Sequence, residues 1–217
     1  LLFPAAEKAG RVYVAYPFES DYRPVVTRGW FTGADVQPIK RARASHKGTY
    51  GRVVAVVGSR TMVGAGEMCA QSALRSGCGT LVLASPQTVI PFYRNKLTCA
   101  MTEDLPDTQG QYACGGAHTL QALLAHATAA VLGPGMGHGP GVAELLQTAL
   151  DTSVPLVLDA DALNTLARIK RMDWLSATSA PVILTPHPVE LSRLMGVDFQ
   201  QILKDPFTYS EQFAQQT

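Results

Sequence analysis

The chain has 217 residues, a formal net charge of +1 and 47% hydrophobic residues, which predicts a globular protein of one large domain or one and a half ordinary ones. The near-zero charge argues against nucleic-acid binding as the main function. No apolar run approaches the roughly 20 residues that span a bilayer, and no signal-peptide pattern is present. We therefore predict a cytoplasmic protein without nucleic-acid or membrane partners.

The four cysteines, Cys69, Cys78, Cys99 and Cys114, contain no C-x-x-C pair. Zinc sites and disulfide frameworks are typically marked by such close spacings. The neighbours of these residues are apolar or small, so we expect buried free thiols in a reducing compartment.

From residue 46 onward, short β-favouring runs alternate with segments of helical periodicity. The pattern predicts strands at Val53–Val57, Thr80–Ala84, Ala129–Leu132, Pro155–Leu158 and Pro181–Thr185. It predicts helices at Gly64–Ser76, Gly116–His126, Pro140–Leu150, Ala160–Arg168, Pro188–Met195 and Phe207–Thr217. Strands that alternate with helices form right-handed crossovers, so we predict an α/β fold with a parallel sheet covered on both faces.

Three of these strands end at abrupt changes to glycine, acidic or histidine residues: AAVLGPGMGHGPG (129–141), PLVLDADALN (155–164) and PVILTPHPVE (181–190). The carboxyl ends of parallel strands meet at one edge of a sheet, so we expect the three loops to converge on one crevice. The glycines at 133, 135 and 137 allow positive φ and let backbone N–H groups approach an anion or a flat ring. A tight strand-to-helix turn is the alternative reading of the same glycines.

The polar residues of the other two loops also allow two interpretations. Asp159 and Asp161 follow an apolar strand and could bind a hydroxyl or hydrated magnesium, although we expect one of them to cap the following helix. His187 lies between two prolines that restrict its backbone, so it is either a ligand-binding residue or a structural one. For Glu190 we expect a favourable interaction with the helix dipole.

Taken in order, six segments resemble the ADP/ATP-dependent NAD(P)H-hydrate dehydratases. They are HKGTYGR (46–52), VVAVVGS (53–59), ALRSGCG (73–79), GPGMG (133–137), LDADALN (158–164) and LTPHPVE (184–190). The first residues, LLFPAAEKAGRVYVAYPF (1–18), are similar to the tail of the NAD(P)H-hydrate epimerase domain that precedes the dehydratase in bifunctional members. The resemblance implies an epimerase-like tail at 1–18, a linker at 19–45 and a partial dehydratase domain at 46–217.

The resemblance further implies a ribokinase-like three-layer α/β/α sandwich with a mostly parallel sheet, incomplete at the C-terminus. It implies that a nucleotide, ADP or ATP, with Mg²⁺, phosphorylates the hydroxyl of hydrated NADH or NADPH (NAD(P)HX), and that phosphate then leaves. By motif, Ala65, Gly135 and His187 would line the substrate pocket, and Asp159 and Asn164 would support it. We assign no metal ligand, and we expect a homo-oligomer in the full-length protein.

The family pattern continues with a lysine-glycine strand that holds the nucleotide and a GTGD-like loop that carries the base, and neither occurs in this chain. We therefore expect the chain alone to be inactive, and the strand Pro181–Leu184 to be partly uncovered, with Val182 and Leu184 at the centre of an associating surface. Two alternatives stay open: another ribokinase-like kinase, for example of a vitamin precursor, and a non-catalytic dinucleotide-binding protein.

Overall fold

The computed structural model describes residues 41–217, which form a six-stranded sheet, a two-stranded hairpin and surrounding helices. The strands are β1 (Arg52–Val56), β2 (Thr80–Pro86), β3 (Met101–Leu105), β4 (Asp107–Thr108), β5 (Gln111–Tyr112), β6 (Ala129–Leu132), β7 (Leu156–Leu158) and β8 (Val182–Leu184). The helices are α1 (Val63–Arg75), α2 (Ile90–Lys96), α3 (Ala117–Leu124), α4 (Gly141–Leu150), α5 (Asp161–Ile169), α6 (Asp173–Ala177), α7 (Pro188–Met195), α8 (Phe199–Lys204) and α9 (Pro206–Gln216), with a 3₁₀ turn at Lys47–Tyr50.

The large sheet has the strand order β3-β2-β1-β6-β7-β8, and every neighbouring pair is parallel. The sequence of β1 explains its central place, because its residues alternate between two apolar cores. Val54 and Val56 join the core formed with α3, α4, α5 and α7, and Ala55 and Val57 join the core formed with α1 and α2. The predicted α/β architecture with a parallel sheet is confirmed.

The strands and helices predicted from the sequence are all present, with boundary shifts of a few residues. The sequence analysis did not find α2, β3, the β4–β5 hairpin, α6 or α8. The expectation of four buried thiols is wrong, because Cys99 and Cys114 are exposed and Cys69 and Cys78 are only half-buried.

The predicted epimerase-like tail at 1–18 and the first part of the predicted linker lie outside the described residues. The last linker residues contact the domain. The guanidinium of Arg41 lies 4.5 Å from the centre of the Tyr50 ring and donates a hydrogen bond to the Gly77 carbonyl oxygen (3.0 Å). The Ser45 and Tyr50 hydroxyl groups are hydrogen-bonded at 2.7 Å. None of the helices within residues 41–217 is long and apolar enough to cross a membrane.

Strand β8 lies at the edge of the sheet, and its two faces differ. Val182 and Leu184 are half-buried against the core that contains α5 and α7. Ile183 points to the other face and is 52% exposed, because the apolar core formed with α1 and α2 on that face includes no residue of β8 among residues 41–217. The exposed apolar residue of this strand is therefore Ile183, and the expectation of Val182 and Leu184 at the centre is wrong.

Candidate functional site

The three predicted strand ends lie side by side. The paired residues Leu132, Leu158 and Leu184 close the ladders of β6, β7 and β8. Beyond them the ladder continues for one more residue, because the Asp159 N–H donates to the Leu132 carbonyl oxygen (3.1 Å) and the Thr185 N–H donates to the Leu158 carbonyl oxygen (3.2 Å). The prediction that these loops share one edge of the sheet is confirmed.

The end of β1 joins the same edge and brings the first turn of α1 with it. The Gly58 N–H donates to the Pro134 carbonyl oxygen (2.8 Å) and so ties the loop after β1 to the loop after β6. Gly135 has φ 68°, and a Cβ placed on it would lie 2.9 Å from the Ala65 Cβ and 2.8 Å from the Met62 carbonyl oxygen. Ala65 and Gly135, both predicted to line the substrate pocket, therefore lie against each other.

Glycine at position 133 is required by the same close approach of backbones. Gly133 has φ 127°, and a Cβ on it would overlap the carbonyl oxygen of Asp159. A side chain here would push the ends of β6 and β7 apart, since the obstacle is backbone and cannot rotate away. The glycines therefore form a tight turn after β6, and they also leave backbone without side chains at the crevice.

The two aspartates after β7 are held in different directions. The Asp159 Oδ1 accepts a hydrogen bond from the Thr185 hydroxyl (2.7 Å), and the buried Asp161 Oδ2 accepts one from the Gly137 N–H (2.7 Å). Neither side chain caps α5, so the expectation that one of them would do so is wrong. Ala160 between them has φ 47° and ψ −110°, a conformation that costs a non-glycine residue about 1–3 kcal/mol.

His187 is the N-cap of α7, and its imidazole folds back on its own helix. Its Nδ1 accepts from the Val189 N–H (3.2 Å), and its Nε2 lies 3.1 Å from the Glu190 Oε1. The Glu190 Oε2 in turn accepts from the His187 N–H (3.0 Å). This pattern requires a proton on Nε2 and leaves Nδ1 as an acceptor. Both ring nitrogens are therefore engaged within the first turn of α7, while the side chain remains 58% exposed.

Glu190 does more than the predicted favourable interaction with the helix dipole. Its side chain is 95% buried, and both carboxylate oxygens contact His187. A carboxylate is costly to bury without partners, so this reciprocal capping accounts for the position of Glu190 and fixes the orientation of the imidazole.

Asn164 lies on α5 beside α7, and its contact was not predicted. Its Oδ1 accepts a short hydrogen bond from the Arg193 Nη1 (2.6 Å). No sequence pattern marks Arg193, because only the packing of α5 against α7 brings the two residues together.

Two buried tyrosines donate hydrogen bonds to backbone carbonyl oxygens that follow β1. The Tyr93 hydroxyl donates to the Val63 carbonyl oxygen (3.1 Å) and fills the space next to Gly58 and Gly66. The Tyr112 hydroxyl donates to the Val57 carbonyl oxygen (3.0 Å). Burial raises the pKa of Tyr93 to about 12, so its hydroxyl stays protonated at neutral pH, as the donated hydrogen bond requires.

Within residues 41–217 no three histidine, cysteine, aspartate or glutamate side chains lie close enough to hold a metal ion together. Cys69 is the thiol next to the crevice. Burial, with a smaller contribution from the negative charge of Asp159, raises the pKa of Cys69 to about 11. This thiol is therefore neutral, and a weak nucleophile, at physiological pH.

Comparisons with known proteins show which family the sequence of this chain matches. The family model described as NAD(P)H-hydrate dehydratase matches residues 53–217. The bifunctional NAD(P)H-hydrate repair enzyme Nnr of Moorella thermoacetica is 35% identical over 196 residues, which are 89% of this chain and 36% of that protein. The ADP-dependent (S)-NAD(P)H-hydrate dehydratase of Bacillus subtilis is 33% identical over 178 residues, which are 82% of this chain and 59% of that protein.

Solved structures give the same result. The ADP/ATP-dependent NAD(P)H-hydrate dehydratase of Bacillus subtilis, co-crystallised with ATP/Mg²⁺, matches with a TM-score of 0.68 and 32% identity, over 82% of this chain and 58% of that one. A ribokinase-like protein of Enterococcus faecalis matches with a TM-score of 0.68 at 20% identity, which shows the shared fold. The predicted ribokinase-like fold is confirmed. The chain spans between 36% and 59% of the length of the two curated relatives described above.

Proposed function

We propose that this chain, which belongs to the NAD(P)H-hydrate dehydratase family, forms the substrate side of an enzyme that returns NAD(P)HX to NADH and NADPH. In the proposed reaction a nucleotide phosphorylates the ring hydroxyl of the hydrate. Phosphate then leaves as the ring double bond forms again and a proton is lost from the neighbouring carbon. Phosphorylation is useful because hydroxide is a poor leaving group at neutral pH and phosphate is a much better one.

The observation that carries this proposal is the convergence of the family's motif residues. Ala65 and Gly135 lie against each other on the β1 and β6 side of the crevice. Asp159 and His187 follow the neighbouring strands β7 and β8. Three residues from three separate motifs, together with Ala65 of α1, therefore lie at one edge of the sheet.

Each of these residues has a role that its surroundings support. Ala65 and Gly135 offer small surfaces and bare backbone, which suits close approach of a flat nicotinamide ring. Thr185 holds one oxygen of the Asp159 carboxylate, and we propose that the other accepts a hydrogen bond from a substrate hydroxyl. Both nitrogens of His187 are engaged in its helix, so we propose that the exposed ring contacts the substrate through its face.

The proposed reaction uses a nucleotide as the phosphoryl donor and Mg²⁺ as the counter-ion of that nucleotide. We assign no residue of this chain to the nucleotide or to Mg²⁺, and residues 41–217 bring no three metal-ligating side chains together. Our attribution of both follows from the relative that was co-crystallised with ATP/Mg²⁺. Location in the cytoplasm and assembly into a homo-oligomer stay predictions.

Binding of the hydrate can be measured separately from turnover. We expect the chain to bind NADHX and NADPHX in isothermal titration calorimetry. Asp159→Asn retains an oxygen for the Thr185 hydroxyl and removes the charge, so we expect weaker binding of the hydrates and little change in the binding of NADH, which lacks the added hydroxyl. Asp151→Asn is the matched control, because Asp151 is exposed at the end of α4, away from the crevice.

A second pair of variants tests the small residues of the crevice. Ala65→Val places two methyl groups next to Gly135, so we expect it to weaken hydrate binding. Gly64→Ala is its neighbour in α1 and has open space for a Cβ, so we expect unchanged binding. Failure of the wild-type chain to bind either hydrate would refute the proposed function. Equal binding by wild type, Asp159→Asn and Ala65→Val would refute the residue assignment.

A further inference from the structure

A positively charged side chain on α7, that of Arg193, is held by a neutral partner on α5. The Arg193 Nη1 donates to the Asn164 Oδ1 at 2.6 Å, a short distance for a nitrogen donor. An amide oxygen orients a guanidinium group without neutralising it. Four of the five guanidinium N–H groups remain for other acceptors.

The two arginine ion pairs found within residues 41–217 show the contrast. Arg94 pairs with Asp104 at 3.4 Å, and Arg171 pairs with Asp173 at 2.8 Å through two nitrogens. No described carboxylate lies within ion-pair distance of Arg193, which is exposed on α7. The charge of Arg193 is therefore available to an anion from solution.

Arg193 lies in the last turn of α7, six residues after its N-cap, and its guanidinium donates to Asn164 in the first turn of α5. Long helical side chains lean toward the N-terminus of their helix. The N-termini of α5 and α7 both open at the edge of the sheet that carries Asp159 and His187.

Charge complementarity identifies the class of ligand. The side chains that follow β7 and β8 include three carboxylates, those of Asp159, Asp161 and Glu190. A dinucleotide carries a negatively charged diphosphate, and NADPHX carries one more phosphate on the ribose. Such a ligand requires a cation where its phosphate passes this acidic edge, and guanidinium groups match phosphate oxygens in geometry as well as in charge.

From these observations we infer that Arg193, oriented by Asn164, binds a phosphate group of the dinucleotide substrate. The inference rests on the proposed function and extends it, because it names a specificity-determining residue that no motif had marked. Arg193 is a binding residue in this scheme, and Asn164 is a positioning residue that acts through it.

The test measures dissociation constants of NADHX and NADPHX for the chain by calorimetry. For Arg193→Ala we expect the dissociation constant to rise roughly ten- to a hundredfold, and for Arg193→Lys a smaller rise. An equal loss of affinity for both hydrates assigns the contact to the diphosphate. A loss of affinity for NADPHX alone assigns the contact to the ribose phosphate. Arg75→Ala is the control, because Arg75 is exposed at the far end of α1.

Variants of Asn164 test whether this residue positions Arg193 or only stabilises the fold. Asn164→Asp should form an ion pair with Arg193 and neutralise it, so we expect weaker binding even though the arginine is intact. Asn164→Ala frees the guanidinium and should weaken binding less. In the wild type, binding should weaken as salt is raised, and Arg193→Ala should show a shallower salt dependence.

The outcomes distinguish this inference from the proposed function. Unchanged binding of both hydrates by Arg193→Ala, with normal binding by the wild type, overturns the inference and leaves the function standing. Unchanged binding by Asn164→Asp overturns the positioning role of Asn164. Failure of the wild type to bind either hydrate overturns both proposals.

Discussion

Replacement of His187 tests whether this residue stabilises the fold, binds the ligand, or does both. His187→Ala removes the acceptor of the Val189 N–H and the contact to Glu190 Oε1. Loss of an N-cap acceptor costs about 1 kcal/mol. Removing one partner of a buried polar group costs about 1–3 kcal/mol, and we take the lower value because Glu190 keeps its bond from the backbone N–H of residue 187.

The free energy of unfolding should therefore fall by about 2 kcal/mol in total. For a domain of this size that corresponds to a decrease of roughly 4–8 °C in the melting temperature. His187→Asn should recover about half of the loss, because asparagine is a good N-cap residue. A double-mutant cycle with Glu190→Gln should give a coupling energy of at least about 0.5 kcal/mol.

Thermal melting and hydrate titrations of the same variants separate the two roles. A melting temperature of His187→Ala within about 1 °C of wild type would refute the capping contribution, since that shift corresponds to well under 1 kcal/mol. If His187→Asn bound the hydrates as tightly as wild type, the proposed contact of the ring with the substrate would be wrong. Weaker binding by a variant that melts close to wild type would establish the contact independently of the fold.

Three further changes test other features of the domain. Ala160→Gly should raise the free energy of unfolding by about 1 kcal/mol in urea denaturation, because glycine adopts its φ of 47° without strain; a destabilised variant would contradict this. Ile183→Lys should reduce self-association in light scattering, because it places a charge on an exposed edge strand; unchanged association would contradict it. At pH 8 a disulfide reagent should react fast with the exposed thiols of Cys99 and Cys114 and slowly with Cys69. Burial raises the pKa of Cys69 from 9.0 to about 11 in the folded state. The free energy of unfolding should therefore fall as the pH rises from 9 to 11, because the thiol ionises in the unfolded state before it does in the folded state.

The sequence predicted the architecture where the pattern is strong. β1, β6 and β7 are short apolar runs that end at glycine or aspartate, and the following helices have clear apolar faces. β3 was missed because its sequence, MTEDL, is largely polar and lies at a sheet edge, where only its last residue, Leu105, is buried. The two-residue strands β4 and β5 and the five-residue helix α6 are too short to show a period.

The sequence was sufficient to predict which loops form the candidate site, but not which partners their side chains contact. Parallel topology alone places Gly133, Asp159 and Thr185 on one edge, so their convergence followed from the strand pattern. The partners of each side chain did not follow. Aspartate after a strand suggested a helix cap, yet the positive φ of Ala160 turns Asp159 toward Thr185 and Asp161 toward the glycine loop. Such a conformation is uncommon for alanine, and no sequence pattern marks it.

Backbone forms most of this crevice, and this explains why its motifs are rich in glycine and alanine. Gly133 and Gly135 allow three loops to approach more closely than side chains permit, so they set the shape of the pocket and contribute few chemical groups. Selection among ligands must then come from side chains that the fold leaves available. Among the described residues, three groups of this kind are the second oxygen of Asp159, the exposed ring of His187 and the guanidinium of Arg193. We propose that a hydrated dinucleotide uses them as a hydroxyl acceptor, a flat surface and a phosphate-binding cation. One substitution removes each of the three, and for His187 the same substitution also removes the N-cap of α7.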